Sequence, residues 1–250
     1  MNTRNRILIP TLALAGAMLA QQSTAQSISA IYTGEFGTPT VKFTTALPGH
    51  NGAREDGTTR FNGTRTDTPG PGVDNTVPAL FKSFCVEIGE NLPFNQAKTH
   101  TQVVNLLGSS TINGGISGPV LFDALRTQRL QTLWGSFYGA ITTQNAMRAF
   151  QLAQWELCFD NDATLVQGTL SKLWVTPAQN QAGVTNLAEN WLTQIRTGQA
   201  TTQMNLMLLR GNGVQDQVTP GQPVPEPGTM AALGLGLAAI ARRRKAKKAA

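Results

Sequence analysis

The residues whose type and spacing suggest chemistry are two cysteines and one glutamine. In the segment Asn145–Asp160, Gln151, Trp155 and Cys158 recur at i, i+4 and i+7, a stripe along a predicted helix. A buried Gln and Cys on one stripe each need a partner, and Cys85, in Phe84-Cys85-Val86-Glu87, is the obvious candidate. In an exported chain, two cysteines most simply form one disulfide, Cys85–Cys158. It would close a loop of about 70 residues and contribute roughly 4 kcal/mol. The other groupings point to less. His50 and His100 stand apart from any ligand cluster, so no metal is expected. Asp160 and Asp162 flank Asn161 in a calcium-like pattern. No glycine or bidentate glutamate follows at the required spacing, and they read as a polar helix end. Glu87 and Glu156 lie close in sequence to Cys85 and Gln151 and could pair as carboxylates. The tryptophans, Trp134, Trp155, Trp174 and Trp191, fit a core better than a sugar platform. No Ser-His-Asp order, phosphate loop or dinucleotide fingerprint occurs, so neither an enzyme nor a cofactor is expected.

The predicted elements give an α+β body of N-terminal strands, about three central helices and a closing strand. Ile28–Tyr32 and Val41–Thr45 are β-rich runs between Gly and Pro, and Phe81–Ile88 reads as a buried strand. Residues Gly49–Asp74 are polar and dense in Gly, Asp, Thr and Arg, and are expected as a long surface loop or irregular hairpin. A first helix is expected from Pro119 to Trp134 with Val120, Leu121, Ala124, Leu125 and Leu130 inward. The second spans Asn145–Asp160, where Ala146, Ala149, Phe150, Ala153 and Leu157 form one face, capped by Thr142, Thr143 or Asn145. Val184, Leu187, Ala188, Trp191, Leu192 and Ile195 mark a third, stopped by Gly198. Thr201–Arg210 reads as the closing strand and 211–223 as a linker, which sets the exported domain at 26–210.

The two ends carry addresses. Arg4 and Arg6 precede the apolar run Ile7–Ala20, and Ser23-Thr24-Ala25 supplies a cleavage site, so residues 1–25 read as a secretory signal peptide. At the other end Pro225-Glu226-Pro227 leads into an apolar segment, 228–241, short for a bilayer, and then a basic stop that includes Arg242, Arg243 and Arg244. The formal charge of +6 comes from these ends. Between Gln26 and Gln222 there are 12 basic and 13 acidic residues, which gives no reason to expect nucleic acid.

The tail, over about 28 residues, resembles the PEP-CTERM sorting signal of Gram-negative bacteria in its three parts and their order. The resemblance implies a substrate of an exosortase, a membrane protease that removes the C-terminal helix after transient anchoring. It implies a cell-surface or extracellular-matrix destination, often beside exopolysaccharide. A second resemblance concerns the body. Phe84-Cys85-Val86 and Gln151-Leu152-Ala153-Gln154-Trp155 are similar to the two motifs of bacterial surface thioester domains. That likeness implies a bond between the Cys85 thiol and the Gln151 side chain, shielded by Phe84, Phe150 and Trp155. It implies adhesion through covalent capture of a surface ligand. Gln154 departs from the branched aliphatic of the pattern, Phe150 from its frequent Thr, and Cys158 has no role in it. Three states of Cys85 therefore remain open: a thioester to Gln151, a disulfide to Cys158 in a non-catalytic matrix or carbohydrate-binding module, or a free thiol.

Overall fold

The computed structural model describes residues 26–221 apart from 38, 69, 71, 90, 91, 113–117, 161, 169 and 170. The leader, the Pro225-Glu226-Pro227 segment and the basic stop lie outside the described residues. Among the described residues no helix is long and apolar enough to cross a membrane.

Chain alternation builds a closed antiparallel barrel. Its first strand, β1 (Gln26–Glu35), sends Ile28, Ala30 and Tyr32 into the core at every second position. A hairpin of β2 (Thr40–Leu47) and β3 (His50–Gly57) follows, turning between Leu47 and His50. The chain then returns to the barrel with β4 (Arg60–Arg65), β5 (Leu80–Cys85) and β6 (Ala97–Asn105). After three helices come β8 (Leu206–Gly211) and β9 (Val214–Pro220), so that the order around the barrel is β1-β4-β5-β9-β8-β6. Gly63 in β4 lies beneath the Phe81 ring, where a Cβ would collide with it. Outside the barrel, β3, β2 and the two-residue β7 (Leu173–Trp174) form a small second sheet.

The α+β class stands, with one choice made and one correction in the strands. Of the two readings of Gly49–Asp74, a long surface loop or an irregular hairpin, the structure has strands: β3 is the second arm of a hairpin with β2, and β4 joins the barrel. The side chains of β3 are nowhere buried, so it carries no apolar signal, and its backbone ladder to β2 defines it. The expected linker contains β9, which closes the barrel between β5 and β8. Its residues are polar but buried: Asp216 accepts from the Ile112 and Gly211 amides, Gln217 accepts from Ser83, and Thr219 donates to the Lys82 carbonyl. The globular body therefore runs to about residue 220.

Among the described residues the α-helices are α1 (Ala124–Phe137), α2 (Gln144–Phe159) and α3 (Ala182–Arg196). The first begins later than expected. Asp123 caps it by accepting from the Arg126 amide at 2.8 Å, while 119–122 runs extended against 109–111. Val120 and Leu130 are buried as expected, but Leu121, Ala124 and Leu125 face solvent, and Phe122 takes the inward place. Thr143 caps α2 by accepting from the Ala146 amide at 3.1 Å. Ala146, Met147 and every residue from Ala149 to Phe159 are buried, because α2 packs against α1, α3, β2 and β7 and its Gln side chains meet β5. By contrast α3 is amphipathic, with Val184, Ala188, Trp191 and Leu192 inward, and Gly198 takes a left-handed φ of 72° just beyond its end. Trp134, Trp155 and Trp191 are core residues, whereas Trp174 is only half-buried.

Candidate functional site

The last residue of β5 meets the middle of α2. Pairing with Gln217 of β9 fixes the Cys85 backbone, and its Sγ lies 3.4 Å from Gln151 Oε1. The same carboxamide donates from Nε2 to the Cys85 carbonyl at 2.9 Å, and Gln154 Nε2 donates to that carbonyl at 2.8 Å. Gln154 Oε1 in turn accepts from the Trp134 indole at 2.9 Å. Two side-chain amides thus pin one carbonyl, and every polar atom of the Gln154 head group that faces the core has a use. A polar residue stands at position 154 because its partners are here. Sequence reading noted Gln154 only as a departure from a pattern; the signal that could have found its role was a second Gln one turn from Gln151.

Aromatic rings enclose the pair. Phe84 meets Phe150 at 4.9 Å between centroids and Trp134 edge-on at 5.6 Å, and Tyr138 stacks on Trp134 at 4.9 Å. Trp155 packs on Phe43 of β2 at 5.6 Å. Cys85, Gln151, Gln154 and Trp155 are all buried. Burial, with the Glu87 charge second, pushes the Cys85 thiol far above its ordinary pKa, so the sulfur is held as a thiol. The Trp155 indole works in the other direction on that sulfur, although its buried Nε1 makes no hydrogen bond of normal geometry.

Cys158 is a free, buried thiol, as is Cys85, and the Cys85 sulfur turns to Gln151. Of the two carboxylates singled out in the sequence, Glu87 accepts from the Asp216 amide at 2.8 Å and Glu156 from the Thr164 amide at 3.2 Å. Glu156 also gathers with Asp160 and Asp162, one oxygen of each lying within 4.8 Å of the others. Reading forward from Asp160 missed this group, because its third carboxylate precedes the loop by one helical turn. His50 and His100 are far apart in environment, the first on the exposed hairpin and the second buried against Tyr32.

Residues 223–245 match the PEP-CTERM protein-sorting motif. No curated protein and no solved structure matches the chain. The motif supports an exported protein that an exosortase processes at the membrane and that reaches the surface or the extracellular space.

Proposed function

We propose that this exosortase-sorted protein is a covalent adhesin of the cell surface or extracellular matrix, and that its reactive group is a thioester between Cys85 and Gln151. The observation that carries the reading is the buried thiol 3.4 Å from the Gln151 carboxamide oxygen, with the amide nitrogen held on the Cys85 carbonyl. In forming the bond, sulfur adds to the Gln151 Cδ, the C–N bond breaks, and ammonia leaves with the thiol proton. Burial disfavours the thiolate, so formation is slow, and the proton passes to the departing nitrogen as the C–S bond forms. The same burial keeps water from the acyl group afterwards. Capture is a second acyl substitution at the same carbon: an amine or hydroxyl of a surface ligand or extracellular polysaccharide attacks Cδ, the C–S bond breaks, and the proton lost by the attacking group goes to the Cys85 sulfur.

Access is through the aromatic layer. An open groove of about 420 Å³ lies between Phe81, Lys82 and Tyr138, and Tyr138 stacks on the Trp134 that covers Phe84 and Phe150. A ligand seated there would have to displace these rings to reach the acyl carbon. Incubating the exported protein with a fluorescent primary amine tests the reading. Stoichiometric labelling at Gln151 that Cys85→Ala abolishes, with near-UV circular dichroism unchanged, supports it. Absence of labelling in wild type under denaturing and native conditions alike refutes it. Glycan binding that survives Cys85→Ala would favour the matrix-module reading instead.

A further inference from the structure

We propose that the C-terminal end of α2 and the loop beyond it form a binding site for a hard divalent cation, calcium, ligated by Glu156, Asp160 and Asp162. The three carboxylates place one oxygen each within 4.8 Å of one another. An acidic cluster alone is no site, but here Glu156 is fully buried and its Oε2 has no hydrogen-bond partner, while its Thr164 contact uses Oε1. A buried carboxylate oxygen without a donor is costly unless it is protonated or meets a cation. The surroundings favour the cation. The last carbonyls of α2 place the negative end of the helix dipole beside the group. Asp160 is the residue after the helix, with extended φ and ψ of −118° and 156°, and Ala163 takes a left-handed φ of 55°.

Charge also balances. The cationic side chain acting on this group from α1 is Arg129, which feels both Asp162 and Glu156; Arg196 of α3 is engaged by Glu189 and the Ala163 carbonyl. Three carboxylates against Arg129 leave two negative charges, which one dication neutralises. Burial first, then the Asp160 charge and the hydrogen bond and charge of Asp162, raise the Glu156 pKa above the usual carboxylate range. The all-oxygen donor set selects calcium, magnesium or manganese over softer metals, and the irregular loop suits calcium's flexible geometry. Asp160 Oδ2 also accepts from the Lys172 and Leu173 amides, so the bound ion would tie α2 to the start of β7.

The test is thermal unfolding of the exported protein, stripped with EDTA, at rising CaCl₂ and separately MgCl₂. With the affinity of extracellular calcium modules, about 10⁻⁴ M, 10 mM calcium raises Tm by about 5–10 °C. Magnesium raises it less. Asp162→Asn, at the surface, weakens the response, and Glu156→Gln abolishes it while folding at least as well without calcium. No calcium-dependent rise in wild type, or a rise that both variants keep in full, overturns the site. An equal rise with magnesium overturns the choice of calcium.

Discussion

Replacing Gln154 with Leu removes the second amide on the Cys85 carbonyl and the acceptor of the Trp134 indole. The two losses differ in weight. The Cys85 carbonyl keeps the Gln151 donor at 2.9 Å, so it stays paired. Trp134 is fully buried and its Nε1 has Gln154 Oε1 as its acceptor at 2.9 Å, so the variant strands a buried N–H. That costs about 1–3 kcal/mol, offset by up to about 1 kcal/mol for the apolar side chain gained. The expected net loss is about 1–2 kcal/mol, or roughly 2–8 °C in Tm for a body of this size. Urea unfolding followed by tryptophan fluorescence reads the loss directly. A double-mutant cycle isolates its cause: in a Trp134→Phe background there is no N–H to strand, and Gln154→Leu becomes close to neutral. The coupling is therefore about 1 kcal/mol or more. A neutral single variant, or equal effects in the two backgrounds, would refute the assignment of Gln154 as the link between Trp134 and the Cys85 carbonyl.

Three further outcomes follow from the structure. His100 is buried, and burial lowers its pKa to about 4 from 6.5, so the unfolded chain binds the proton first and stability falls as pH drops from about 6.5 to 4. The loss is about 3 kcal/mol; His100→Gln flattens that part of the stability–pH curve, and an unchanged curve contradicts it. Trp155→Phe keeps a ring against Phe43 and removes a buried N–H that makes no normal hydrogen bond, but it leaves part of the indole's space empty, so it costs about 1–2 kcal/mol in urea unfolding; a loss as large as that of a full truncation to Ala contradicts it. Gly63→Ala drives a methyl into the Phe81 ring and costs about 1–3 kcal/mol in chemical denaturation; a neutral result means that β4 yields.

What the sequence disclosed depended on apolar spacing. The α2 segment was legible because it has no Gly or Pro, a Thr cap and an unbroken run of buried positions. Likewise Val184, Ala188, Trp191 and Leu192 defined α3, and Gly198 its end. Where burial is polar or absent the pattern failed. The strand β9 reads Val-Gln-Asp-Gln-Val-Thr-Pro, and only its partners, the Ile112 amide, Ser83 and the Lys82 carbonyl, show that it is core. The exposed strand β3 is held by backbone pairing, which leaves no trace in side-chain type. At α1 the proline signal at 119 competed with the Asp123 cap, and the cap won because 119–122 is already paired with 109–111. The site divides in the same way. Cys85 and Gln151 could be matched from their motifs, but the second amide of Gln154 and the gathering of Glu156 with Asp160 and Asp162 depend on tertiary placement.

The covalent state of Cys85 is the centre of the account, and the intact mass of the exported protein, purified without reductant, reads it most directly. A thioester predicts a mass about 17 Da below that of the processed sequence, the loss of ammonia, with the deficit abolished by Gln151→Ala and by Cys85→Ala. A deficit of about 2 Da that reductant reverses would instead mean a Cys85–Cys158 disulfide and would contradict the covalent hook, as would a full, unmodified mass.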